Sequence, residues 1–107
     1  MSGPDAAVVV RSEAIAWVDD GWPGWLRVRL IDALGRPWHF VDKVPVFFSD
    51  AAPPPALPFP VLIRCRIADQ DTDGVVTIST AVPDGVEAED GTTVFRVRAA
   101  QVQRSPA

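Results

Sequence analysis

Cysteine, histidine, lysine and methionine occur once each in this chain of 107 residues, and tyrosine is absent. The lone Cys65 excludes an internal disulfide framework and suits a reducing compartment. One histidine, His39, and one thiol leave a Cys/His zinc site short of ligands, and they cannot supply a nucleophile, a base and a group to orient that base. G-x-S-x-G, Walker and dinucleotide fingerprints are all missing. Apolar runs fall far short of the roughly 20 residues that span a bilayer. The opening Met1-Ser2-Gly3-Pro4-Asp5 carries no basic segment ahead of an apolar one, so a cytoplasmic location is expected. A basic excess is lacking too: fourteen acids against ten bases give a net charge of −4, which disfavours a general nucleic-acid binder. Fourteen acids also give chance carboxylate pairs, which keep a small carboxylate-based enzyme as a third reading. No cofactor is implied.

What the chain does have is three copies of one pattern. Leu26-Arg27-Val28-Arg29-Leu30, Ile63-Arg64-Cys65-Arg66-Ile67 and Phe95-Arg96-Val97-Arg98-Ala99 each alternate apolar residues with arginine. A period of two is that of an extended strand with one dry and one wet face. The nine apolar positions are expected inside and the six arginines outside. With 48% hydrophobic residues and this length, one domain burying roughly 65% of its unfolded surface is expected. The abundance of arginine over lysine, with alanine, valine and proline, fits a GC-rich bacterial genome.

Turn signals divide the rest. A first strand is expected over Ala7–Val18, with Val8, Val10, Ala14, Ala16 and Val18 inward and Arg11 and Glu13 outward. Gly21-Trp22-Pro23-Gly24-Trp25 marks a turn, and a second strand follows over Trp25–Ile31. Asp32-Ala33-Leu34-Gly35 reads as a hairpin closed by a left-handed glycine. A third strand runs from Arg36 to Phe48, with Pro45 marking an edge, bulge or break. Ser49–Pro60, five prolines in twelve residues, reads as an extended crossing, and its Pro55-Ala56-Leu57-Pro58 matches P-x-x-P only formally. Strands over Val61–Ala68, Val75–Thr80 and Thr93–Val102 complete the set, the last entered by a hairpin at Asp90-Gly91. Residues 1–5 and 103–107 are expected to be loose, and no repeat longer than the strand motif is visible. The fold class that follows is all-β: a single small, mostly antiparallel barrel of about six strands, of SH3-like or OB-like size.

Four features of the sequence bear on function. The six arginines, Arg27, Arg29, Arg64, Arg66, Arg96 and Arg98, could form an anion-binding face, with Trp17, Trp22, Trp25 and Trp38 to stack bases. The competing expectation pairs them with acids such as Glu13, Glu87 and Glu89, and this fits the acid excess better. Trp22 and Trp25 in a glycine-proline turn are candidates for protein recognition. Asp69-Gln70-Asp71-Thr72-Asp73-Gly74 matches the first half of a calcium loop, but Thr80 stands where its last glutamate belongs, so a plain polar turn is expected at Asp69, Asp71 and Asp73. Cys65 between two arginines is expected as a small core residue and not as an activated thiolate. The reading is a binding module without catalysis, its partner another protein. A single-stranded nucleic-acid binder of OB type is the alternative.

Overall fold

The computed structural model describes residues 7–19, 21, 24–48, 56–71 and 73–104. Strands account for 62% of it, and no α-helix occurs among the described residues. The strands are β1 (Ala7–Asp19), β2 (Trp25–Ile31), β3 (Pro37–Lys43), β4 (Phe47–Phe48), β5 (Phe59–Gln70), β6 (Val75–Ser79), β7 (Val94–Arg98) and β8 (Val102–Arg104). Six of them run side by side in the order β3-β2-β1-β5-β6-β7, every pairing antiparallel, and curl into a half-barrel. The two short strands pair across, β4 with β5 and β8 with β1.

Period two puts the core where the arginine pattern expects it. Leu26, Val28, Leu30, Ile63, Cys65, Phe95 and Val97 are buried, and Val10, Phe40, Ile78 and Val86 join them. Two of the nine expected positions differ. Ile67 is half-buried, and Ala99 is exposed because it starts a 3₁₀ turn at Ala99–Gln101 that ends β7 early. The expected inward run of β1 also fails past Ala14. Ala14 faces Val28 but Ala16 faces Arg27, so β1 carries an extra residue there, a bulge that shifts the alternation. Ala16 is therefore only half-buried and Val18 is exposed.

Pro45 breaks the third strand, as its missing N–H requires, and Val44–Val46 form a 3₁₀ turn before β4. The Asp90-Gly91 turn is present, with Gly91 at φ +91° and its N–H donated to the Ala88 carbonyl at 2.8 Å. It joins no two sheet strands, because the arm before it makes only a single bridge, Ala88 to Phe40. Gln103 and Arg104, expected in a loose tail, pair in β8 with Val9 and Val8. Residues 1–5, 105–107 and most of the proline-rich crossing (49–55) lie outside the described residues.

The chain folds twice over the same path, a repeat that no sequence pattern announces. β1-β2-β3-3₁₀-β4 and β5-β6-β7-3₁₀-β8 are related by a pseudo-two-fold axis through the Val10–Ile63 pair. The registers agree pair by pair: Ala14 with Val28 matches Ile67 with Ile78, and Val28 with Phe40 matches Ile78 with Phe95. Both halves carry the bulge one step past those first pairs. Gly24 and Gly74, at φ +86° and +84°, each offer a carbonyl to the first N–H of a 3₁₀ turn, to Val44 at 2.9 Å and Ala99 at 2.8 Å. The final short strand of each half is handed to the other half's long strand. The loops cross likewise: Ala33 of the β2–β3 turn donates to the Arg96 carbonyl, and Glu89 of the β6–β7 loop donates to that of His39, each at 2.8 Å. These contacts meet the outer edges of β7 and β3, which would otherwise present unpaired backbone groups.

Candidate functional site

Alternation sends the arginines of β2, β5 and β7 outward, and four of the six meet carboxylates. Arg27 bonds Glu89 and Arg29 bonds Glu13, both at 2.8 Å. Arg64 grips Asp84 with two nitrogens, at 2.9 and 2.6 Å, and Arg96 is paired with Asp71. Among the described residues no carboxylate lies within ion-pair distance of Arg66 or Arg98. Glu13 and Glu89 are partners that the acid excess pointed to; Glu87 is not one, and Asp71 and Asp84 were not foreseen. The three Arg-x-Arg strands are never neighbours of one another, since β1 separates β2 from β5 and β6 separates β5 from β7. The outer surface is therefore a mosaic of paired charges, in which each exposed pair contributes at most about 1 kcal/mol.

The tryptophans divide by environment. Trp38 packs edge-on against Phe95 with ring centroids 5.2 Å apart, and its Nε1 donates to the Asp32 carboxylate at 2.9 Å. That makes Trp38 part of the hairpin's frame. Burial works to raise the Asp32 carboxyl, but the hydrogen bonds from Trp38, Arg36 and Leu34, with the Arg36 charge, outweigh it and hold the group below its ordinary value. Trp25 is half-buried with the Lys43 ammonium 6.0 Å above its ring, at the outer limit of a cation–π contact. Trp17 is exposed at the end of β1, its ring beside Gly24. Trp22 lies outside the described residues.

The acidic turn gathers no ligand set among the described residues. Asp71 is committed to Arg96, and one Asp69 oxygen accepts the Gln70 N–H at 2.9 Å. Asp73 sits in the turn beside Gly74, and Thr72 lies outside the described residues. Cys65 is fully buried, and burial pushes its thiol up to about 12, the opposite of an activated thiolate. His39 is half-buried on β3.

One feature was missed altogether because it belongs to no single strand. On one edge of β1, β8 covers Val8–Val10 and β2 covers Glu13–Asp19, leaving a slit opposite Arg11 and Ser12. There a cavity of about 230 Å³ is lined by Arg11, Ser12, Glu13, Arg29, Ile31 and Gln101. A second, of about 450 Å³, shares Ile31 and Gln101 and reaches along Ala33, Leu34, Arg98 and Ala100. Ser12 Oγ and Arg29 Nε are buried without a hydrogen-bond partner among the described residues. A buried polar atom left so is costly. The one sequence signal was Ser12 itself, a hydroxyl in the inward series Val8, Val10, Ser12, Ala14. No protein-family model matches the chain, and neither a characterised protein nor a solved structure shows significant similarity to it.

Proposed function

We propose that this protein is a non-catalytic binding module whose partner is another protein, an accessory, inhibitor or immunity-type subunit of the bacterial cytoplasm. One observation carries the reading: four of the six arginines of the three Arg-x-Arg strands already hold carboxylates of the same chain. A surface so compensated offers little field to a polyanion, while mixed charge beside apolar groups suits a protein surface. Apolar groups are at hand, since Trp17, Ile31 and Leu34 are exposed at 39%, 41% and 79%. Arginine and tryptophan are also the residue types that dominate binding hot spots.

The test is a titration with fluorescent single-stranded oligonucleotides beside capture of partners from the native host. No oligonucleotide binding is expected near physiological salt, and Trp22→Ala and Trp17→Ala should weaken protein capture more than they lower the melting temperature. Micromolar oligonucleotide binding with a steep salt dependence, weakened by replacing Arg64 and Arg66 with glutamine, would overturn this reading in favour of a nucleic-acid binder.

A further inference from the structure

The pseudo-two-fold axis makes two slits comparable, one on the edge of β1 and one on the edge of β5. In the second, β4 pairs at Leu62 and Ile63 and β6 begins pairing at Arg66, so the open stretch is Arg64-Cys65. Arg64 answers to Arg11 and Cys65 to Ser12. The second slit contains its own ligand. After β6 the chain forms a turn at Ala81–Gly85, and its partly buried Asp84 carboxylate takes the Arg64 guanidinium through two hydrogen bonds.

The first slit has the same arginine but a shorter loop. After Ile31 the chain returns at once through Asp32–Gly35, and the one acid of that hairpin is spent on Trp38 Nε1 and on the amides of Leu34 and Arg36. Arg11 donates instead to the Ala100 carbonyl. Around it stand Arg29, whose buried Nε–H lacks an acceptor, and Ser12, whose buried hydroxyl lacks a partner, among the described residues. Three arginines, Arg11, Arg29 and Arg98, line the two adjoining cavities against two carboxylates, Glu13 and Asp32, which are both engaged. Beyond them the groove turns apolar at Ile31, Leu34 and Ala100.

We propose that the β1 slit is a recognition site for an acidic side chain of a partner protein, an aspartate or glutamate followed by an apolar residue. The carboxylate does at Arg11 what Asp84 does at Arg64, accepting from the Arg11 guanidinium. The apolar neighbour lies over Ile31 and Leu34. This rests on the protein-binding reading and specifies its site.

The experiment is an NMR titration of the full chain, ¹⁵N-labelled, with the capped dipeptide acetyl-Glu-Leu-amide and its control acetyl-Gln-Leu-amide. Shifts are expected at the amides of Ser12, Ile31 and Gln101 and at Arg29 Nε–H, with the glutamine control about tenfold weaker because it lacks the charge-assisted bonds. Arg11→Gln, at an exposed position, should abolish the difference between the two peptides, and Leu34→Glu should weaken the acidic one. Arg64→Gln should leave it unchanged. Equal responses to both peptides, no response up to about 20 mM, which is well past weak millimolar affinity, or shifts indifferent to Arg11→Gln would overturn the proposal. A partner protein whose capture survives Arg11→Gln would overturn it while leaving the protein-binding reading intact. Oligonucleotide binding would instead remove the reading beneath it.

Discussion

The two halves of this chain share a path and almost no sequence. Val10 and Ile63 meet on the axis, Val28 stands where Ile78 stands and Phe40 where Phe95 stands, while the surface positions diverge: Trp17 against Gln70, Trp25 against Val75, Arg29 against Ser79. The inward positions need only be apolar and of suitable volume, so they drift within a narrow set. The loops are held to less. The first half returns from β2 to β3 through a tight hairpin at Asp32–Gly35, and the second spends Thr80–Thr93 on the same connection. That difference places Asp84 in one slit and, among the described residues, leaves Arg11 in the other without a carboxylate. On the proposed reading, recognition belongs to the unequal loops and stability to the equal cores.

The comparison is broken most directly at the paired phenylalanines. Phe40 and Phe95 are buried and touch each other edge-on with centroids 5.5 Å apart. Each truncation to alanine should cost about 3–5 kcal/mol, read as a shift in the urea midpoint. If the axis is energetically real, the two losses should agree to within about 1 kcal/mol, a spread within the usual variation of core truncations. A far cheaper loss at Phe95 would make the second half an appendage of the first.

The glycines come next. Alanine at Gly74 meets nothing within 4 Å among the described residues, so Gly74→Ala should cost only the left-handed backbone penalty of about 1–2 kcal/mol. At Gly24 the same Cβ would sit 3.1 Å from Val44 Cγ2 and 3.4 Å from the Trp17 ring. Gly24→Ala should therefore be the worse of the two, and equal melting points for the two variants would show that the first turn relaxes freely.

Why the strands were legible and the repeat was not follows from the same residues. Alternation about Arg27, Arg64 and Arg96 is a local signal, so β2 was bounded correctly and the cores of β5 and β7 were found. The turn at Asp32 was legible because Asx bonding and a left-handed glycine are chain-local chemistry: Asp32 Oδ1 accepts the Leu34 and Arg36 amides, and Gly35 has φ +81°. The bulge after Ala14, the handing of β4 and β8 across the axis, and the partners Asp71 and Asp84 depend on residues far away in sequence. A slit between β2 and β8 has no sequence signature, because it arises where two strands leave one edge of β1. Charge excess anticipated paired arginines but not which acid would come to which.

Ser12 and Cys65 occupy matching inward positions and differ in what burial does to them. Cys65 should resist thiol reagents until the protein is denatured, since the thiol is enclosed and held neutral. Ser12→Ala should raise stability by about 1 kcal/mol by removing a buried hydroxyl that has no partner among the described residues. A loss on that substitution would show that the hydroxyl is satisfied in solution.

Acid should act on the first half's hairpin through Asp32. Its folded pKa is depressed, so its contribution is fully present above the unfolded value and is lost as pH falls through the folded one. Melting temperatures measured through that range should fall more steeply for the wild type than for Asp32→Asn. Parallel curves would remove Asp32 as the hairpin's acid-sensitive group.

The substitution with the smallest effect on stability separates the two slits most clearly. Asp84 and Arg64 are both partly buried, Asp84 the more so, and form a partly screened pair. Asp84→Asn should therefore cost about 1 kcal/mol or less in a melt. Its effect on binding should be larger in kind. With the internal carboxylate neutralised, Arg64 becomes the counterpart of Arg11, and the second slit should begin to take the acidic dipeptide. Titration of Asp84→Asn should then show a new set of shifting amides around Arg64 and Ala81, absent from the wild type and removed again by Arg64→Gln. Shifts confined to the β1 slit would mean that the asparagine side chain still closes the second, and that loop length, not the charge of Asp84, separates the two halves.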